Sequence, residues 1–187
     1  MDLRGVVRAA RNGDRKAWNS LVARYSGLIW GVARAHRLGD ADAADVYQTT
    51  WLRLVEHLDD IRNPEGLGSW LATTARHECL RVLRVGQRHV LTDGFDLPEQ
   101  AADEAALDAR LLAGERDAAL WRAFSEISAR CRRLLRMLVA DPPPSYEEVG
   151  AALDMPIGSI GPTRGRCLGQ LRERLAIAGN VAAPNDA

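Results

Sequence analysis

Three consecutive prolines, Pro142 to Pro144, close one helical run, and Ser145 opens another. Proline lacks an amide hydrogen and disfavours helical backbone in the residue before it, so no helix passes through this point. Ser145 followed by Glu148 is a capping box, in which the serine hydroxyl accepts from the Glu148 amide and the Glu148 carboxylate accepts from the Ser145 amide. Val149, Ala152 and Leu153 give the next helix an apolar face, and Asp154, Met155 and Pro156 break it. Ser159 is a second cap by residue type, after which Ile160, Cys167, Leu168 and Leu171 recur at helical spacing. Pro162 is expected in the first turn of this second helix, where a missing N–H leaves no intrahelical carbonyl unpaired. Two short helices around a tight turn, the second carrying Arg164, Arg166 and Arg172 outward, make a helix-turn-helix pattern. The same residues also suit an ordinary αα-hairpin with a solvated basic face.

Helical periodicity extends over most of the chain. From Asp14 to about Arg37, Trp18, Leu21, Val22, Tyr25, Leu28, Ile29 and Val32 mark one long amphipathic helix that Gly39 terminates. The next runs from about Ala41 to Leu58. Its inward stripe is Tyr47, Thr50, Trp51, Leu54, Val55 and Leu58; its opposite face presents Asp45, Gln48, Thr49, Leu52, Arg53 and Glu56. A leucine set among polar groups suits a protein partner and a solvated face equally well. Residues 59–68 form a loop by their Asp, Asn-Pro and Gly content. A helix from Ser69 to about Arg84 turns Leu71, Ala75, Cys79 and Val82 inward. Trp70, Thr73, His77, Arg81 and Arg84 share another face with Arg76 alongside, which is the chemistry of stacking on unpaired bases, or of a half-buried tryptophan beside solvated arginines. Between Gly86 and Asp117 the pattern dissolves into an acidic, linker-like segment. Leu120, Phe124 and Ile127 resume it, Ser128 breaks it, and Cys131, Leu134, Leu135 and Leu138 continue it.

The 187 residues suffice for one or two small domains, and 47% hydrophobic with only 5% aromatic content favours cores of Leu, Ala and Val. The expected fold class is therefore all-α: two small helical domains joined by a flexible acidic linker, the C-terminal one containing the helix-turn-helix. Lys+Arg and Asp+Glu both number 25, so any contact with nucleic acid is local or assisted by a partner. Cys79, Cys131 and Cys167 lack a CxxC or Cys/His ligand pattern and read as reduced apolar residues of a cytoplasmic protein, without disulfide, metal or cofactor. No apolar run approaches the roughly 18 residues of a membrane span, and no secretory signal core is present. His36, His57, His77 and His89 form no recognisable catalytic set with cysteines or carboxylates, so no enzymatic chemistry is expected.

Taken in order, the segments resemble the extracytoplasmic-function (ECF) sigma factors of the sigma-70 family, which keep only the second and fourth conserved regions. VVRAARNGDRKAWNSLVARY has that family's Gly-Asp, aromatic, leucine and Arg-Tyr pattern. DADAADVYQTTWLRLVEHLDDIR is similar to the region that grips the polymerase clamp. SWLATTARHECLRVLR is similar to the Trp-Leu, Ala-Arg and Leu-Arg helix that handles the minus-ten element. SYEEVGAALDMPIGSIGPTRGRCLGQLRERL carries the Tyr-Glu-Glu, Pro-x-Gly-Ser and closing Leu-Arg signature of the minus-thirty-five reader.

The resemblance implies a transcription initiation factor that binds core RNA polymerase, at the clamp of its largest subunit and the flap of its second-largest, and recognises and melts promoter DNA. It also implies an anti-sigma factor. It places Asp45, Gln48, Thr49, Trp51 and Leu52 on the clamp, with Thr49 where the family commonly has Glu. Asn63, Trp70, Thr73, Arg76, His77, Arg81 and Arg84 fall on the minus-ten surface, His77 replacing a frequent Asn. Ser159, Pro162, Thr163, Arg164 and Arg166 fall on the minus-thirty-five surface, where Gly161 and Thr163 replace frequent basic residues. Asp154 stands at a turn position usually held by glycine and must tolerate a left-handed conformation. The expected layout is region 2 over 1–86, a linker over 87–115, region 4 over 116–176 and a disordered tail over 177–187. A stand-alone helix-turn-helix regulator and a protein-binding adaptor with a vestigial DNA-reading helix are the alternatives.

Overall fold

The computed structural model describes residues 2–93 and 115–181, and all regular structure among them is helical. The N-terminal half comprises α1 (Leu3–Arg11), α2 (Arg15–Ala35), α3 (Asp40–His57) and α4 (Leu67–Asp93), with 3-10 turns at Leu58–Asp60 and Pro64–Gly66 between α3 and α4. The C-terminal half comprises α5 (Glu115–Glu126), α6 (Ala129–Leu138), α7 (Tyr146–Leu153) and α8 (Ile157–Val181). Asp14 caps α2 by accepting from the Lys16 and Ala17 amides at 2.7 and 3.4 Å. The apolar stripe of α2 is buried as its spacing dictates: Leu21, Tyr25, Leu28, Ile29 and Val32 are each at most 4% exposed. Around this central helix pack α1, α3 and α4.

α3 buries Ala43, Val46, Thr50 and Leu54, a stripe one helical row away from Val55. Val55, expected inward, is consequently 60% exposed. α4 buries Leu71, Ala75 and Cys79 as expected, and burial pushes the Cys79 thiol up to about 12. The helix continues nine residues beyond Arg84 to Asp93, since elongating an existing helix gains one hydrogen bond per residue fixed. The acidic segment 94–114 lies outside the described residues.

In the C-terminal half, Ser128 breaks the chain and caps α6, its hydroxyl accepting from the Cys131 amide at 3.2 Å. The Arg132 guanidinium donates to the Ser125 and Ile127 carbonyls and fixes the α5–α6 corner. Both bonds of the Ser145 capping box form, at 2.7 and 3.2 Å. Asp154 ends α7 at φ 55°, ψ 52°, the left-handed turn its position demanded.

Four expectations for this half change. α8 starts at Ile157, so Ser159 is inside it and its hydroxyl donates to the Pro156 carbonyl at 2.7 Å instead of capping the helix. Pro162 is therefore the sixth residue of α8, not a first-turn residue, and the Gly158 carbonyl loses its partner four residues on. Gly161 accounts for the tolerance: the residue before proline is pushed out of the helical region largely through its Cβ, and glycine has none. Cys131 and Cys167, expected reduced, form a disulfide that joins α6 to α8 across a Cα separation of 5.2 Å. Helix α8 also runs to Val181, five residues into the stretch expected to be disordered; 182–187 lie outside the described residues.

The halves are packed together. α4 lies against α7 and α2 against α6, and one buried cluster runs from Leu21 and Leu71 through Leu134 and Met137 to Val149 and Ile160. Among the described residues no helix is long and apolar enough to cross a membrane.

Candidate protein and nucleic-acid interfaces

The outer face of α3 follows from its inward stripe. With Val46, Thr50 and Leu54 buried, Asp45, Gln48 and Leu52 point to solvent, Leu52 at 62% exposure next to Val55. Two adjacent aliphatic side chains left in water, flanked by acidic and amide groups, form a small apolar contact with a polar rim. Thr49 and Trp51 are half-buried. The Trp51 ring meets Tyr47 edge-on at 6.1 Å, and Tyr47 stacks on Trp30 at 5.4 Å. Trp51 thus braces the face from behind, and its buried indole Nε1 has no hydrogen-bond partner.

At the turn from α3 into α4 the chain forms a cleft of about 490 Å³ lined by His57, Asp60, Ile61, Arg62, Asn63, Gly66, Leu67 and Trp70. It contains two predicted residues, Asn63 and Trp70, and six that sequence reasoning did not assign: His57, Asp60, Ile61, Arg62, Gly66 and Leu67. His57 packs edge-on to Trp70 at 6.3 Å, with its Nδ1 3.5 Å from the Asp60 carboxylate. The Arg11 side chain holds the outer turn, donating from Nε to the Leu58 carbonyl at 3.0 Å and from Nη2 to the Ile61 carbonyl. An aromatic wall, an amide and a guanidinium around an open cleft offer stacking and hydrogen bonding to one planar, polar group.

Along α4 the remaining predicted residues line up beyond the cleft. Thr73 is half-buried and His77 exposed, while Arg81 and Arg84 reach solvent. Arg81 is held by the nearly buried Glu78 at 2.6 Å, and Glu78 also lies 3.9 Å from Arg53 of α3. Arg76 donates across to the C-terminal half, its Nη1 lying 3.2 Å from the Asp154 carboxylate, with Nη2 3.2 Å from His77 Nε2. Its Nε is buried without a partner. Near this seam the pKa of His36 is lowered, chiefly by burial and further by the positive charges of Arg133 and Arg76, against a hydrogen bond to the Val32 carbonyl that favours its charged form.

On α8, Arg164 and Arg166 are exposed, Pro162 lies on the surface and Ser159 is half-buried. Thr163 differs from its expected place. It is 6% exposed, on the inward row with Ile160 and Cys167, and its hydroxyl accepts from Arg166 Nη2 at 3.2 Å. It thus orients Arg166 from below. The i, i+3, i+7 spacing of Ile160, Thr163 and Cys167 carried that signal in the sequence.

The sigma-70 region 2 family matches residues 21–89. The ECF RNA polymerase sigma-E factor of Salmonella typhimurium is 23% identical over 163 residues, spanning 83% of this chain and 84% of that protein. Two solved structures share the fold. RpoE of Bartonella quintana in complex with the anti-sigma factor NepR has a TM-score of 0.59 and 21% identity, over 87% of this chain and 98% of the other. CnrH in complex with the cytosolic domain of CnrY has a TM-score of 0.58 and 20% identity, over 97% of this chain and 100% of the other.

Proposed function

We propose how this chain, which belongs to the ECF sigma factors and is a bacterial transcription initiation factor, divides its work among three surfaces. The α3 face binds core polymerase. Leu52 inserts into an apolar depression of the clamp, Val55 extends that contact, and Asp45 and Gln48 set its polar rim. Trp51 and Thr49 support the face from the half-buried side.

The cleft at the α3–α4 turn takes a base extruded from the minus-ten element. Extrusion costs a few kcal/mol of unstacking and unpairing, which ring contact with Trp70 and hydrogen bonds from Asn63 and Arg62 offset. Thr73, Arg76, His77, Arg81 and Arg84 then track the unpaired strand along α4. Arg164 and Arg166 of α8 contact the minus-thirty-five element in the major groove, with Thr163 positioning Arg166 and Ser159 and Pro162 shaping the start of the reading helix. The residues before about 86 act as the region 2 unit and 116–176 as the region 4 unit, with 87–115 connecting them. Equal numbers of acidic and basic residues leave most of the long-range attraction to DNA to polymerase.

The cleft carries the residue-level reading, because it sets an amide and an aromatic wall at the head of a basic helix. Nothing in this role requires a cofactor or bond-making chemistry, and the site of action is the cytoplasm. The RpoE structure holds an anti-sigma factor, and a protein of that kind is the expected regulator here. Run-off transcription from a promoter library, with purified bacterial core enzyme, tests the reading. Specific transcripts that depend on this chain, and co-elution with core, are expected. Absence of both overturns it.

A further inference from the structure

We propose that Glu78 is a positioning residue for strand binding, holding Arg81 by its Nε so that the two Nη groups are presented to a phosphate of the unpaired strand. The inference rests on the reading of α4 given above and extends it to a residue that itself touches no DNA.

Glu78 breaks the pattern of its own helix. It lies on the row that α4 turns inward, where Leu71, Ala75 and Cys79 are fully buried, and is itself only 9% exposed. A carboxylate taken out of water costs free energy unless it is paired. Even when paired, it commonly stabilises no better than an apolar side chain of similar volume. Leucine or methionine suits such a position, so packing alone gives no reason for an acid. A local rule broken without a gain in stability points to function.

The geometry supplies that function. Arg81 Nε donates to Glu78 Oε2 at 2.6 Å. The other oxygen, Oε1, lies 3.9 Å from Arg53 Nε of α3, and Arg53 Nη1 donates to Glu56 at 3.1 Å. The carboxylate is thus steadied from both helices, one of which carries the face that meets polymerase. The Arg81 side chain is 59% exposed, and its Nη groups have no partner among the described residues. A guanidinium fixed at Nε keeps its plane and offers its two terminal groups together, the fork that matches two oxygens of a phosphate. An untethered arginine loses rotamer freedom in reaching the same pose, and holding it beforehand removes that loss.

The sign of the effect separates this role from simple charge. Removing Glu78 makes the face more positive, so electrostatic attraction alone predicts tighter strand binding. Positioning predicts weaker binding. The measurement is the affinity of the full chain, in complex with core polymerase, for a fluorescent single-stranded oligonucleotide over a range of salt. The oligonucleotide carries the nontemplate minus-ten strand of a promoter selected in the run-off experiment. Glu78→Leu is expected to weaken binding about fivefold and to make the slope of log affinity against log salt shallower by about 0.7, the share of one single-strand phosphate contact. Its thermal unfolding midpoint should stay level or rise, a split that a purely structural ion pair would not produce. Unchanged or tighter binding overturns the proposal. Arg81→Ala should show the same loss, and adding Glu78→Leu to it no more; a full second loss also overturns the proposal, because Glu78 would then act through another group. Arg81→Lys keeps the charge but has no Nε to hold, so it should bind as weakly as Glu78→Leu, and wild-type affinity would count against the fork. Should Glu78→Leu not fold, Glu78→Gln keeps the shape with a weaker acceptor and carries the test, with a loss of about twofold expected and no loss overturning it. Failure of the α4 reading looks different: Arg81→Ala then leaves oligonucleotide affinity unchanged whether or not Glu78 is present.

Discussion

Neighbouring helices α3 and α4 present their working faces in opposite states. On α3 the apolar pair Leu52 and Val55 stands bare, at 62% and 60% exposure. On α4 two of the arginines are engaged from within the chain, Arg76 by Asp154 and Arg81 by Glu78. Physical chemistry explains the contrast. A charge can exchange one partner for another at little net cost, because each exchange replaces one ion pair with a similar one. An aliphatic patch has no such interim partner except burial, and burial would remove it from use. Under the proposed division of work, a face for DNA can therefore be kept occupied, whereas a face for a protein must stay open.

The contrast can be broken from the seam or from the open face. The largest effect is expected for Met137→Ala. Met137 is fully buried on α6 against Gly31 of α2, and its loss should lower unfolding free energy by about 2–5 kcal/mol in denaturant titration. Leu52→Ala comes next. It should weaken core polymerase binding about tenfold, equivalent to about 1.4 kcal/mol, while unfolding free energy moves by less than about 0.5 kcal/mol because the side chain is already in water. Ser145→Ala removes one half of the capping box of the helix that covers α4 and should cost about 1 kcal/mol by thermal or denaturant unfolding.

The smallest effect is a pH dependence. His36 has its pKa lowered in the folded chain by burial and by Arg133 and Arg76. The unfolded chain therefore takes up the proton first, so the stability tied to neutral His36 is fully present above the ordinary value of 6.5 and is lost as pH falls below it towards the folded pKa. His36→Gln should flatten that loss. An unchanged slope between pH 7 and 5 would remove His36 as its source.

Much of the fold was legible because its signals are local. Asp14, Ser128 and Ser145 announce helix starts by side-chain chemistry, and α2 and α6 show their buried rows as plain spacing. The left-handed Asp154 was expected from the resemblance, which sets it where glycine usually stands. What escaped depended on contacts remote in sequence. Cys131 and Cys167 are 36 residues apart with no motif between them, and only the packing of α6 on α8 brings them together. His57 reaches the cleft because a 3-10 turn follows α3, which a count of apolar residues does not reveal. Helix α1 was not anticipated, and Arg11 at its end acquires a role only when the turn at Leu58–Ile61 folds back onto it. Thr163 is a different case: its place on the inward row was readable, and a resemblance that assigned the position to DNA outweighed it.

Arg11 has one further consequence. Its guanidinium binds the turn through the carbonyls of Leu58 and Ile61, that is, through main chain and not side chains. Every amino acid supplies a carbonyl, so this grip is indifferent to what the turn spells. The exposed side chains at Asp59, Asp60, Arg62 and Asn63 can then be rewritten without releasing the segment from its seat. Such a turn behaves as an interchangeable cassette on a fixed mount. If the cleft takes a base as proposed, new base preferences can be drafted there while the helices beneath keep a constant shape.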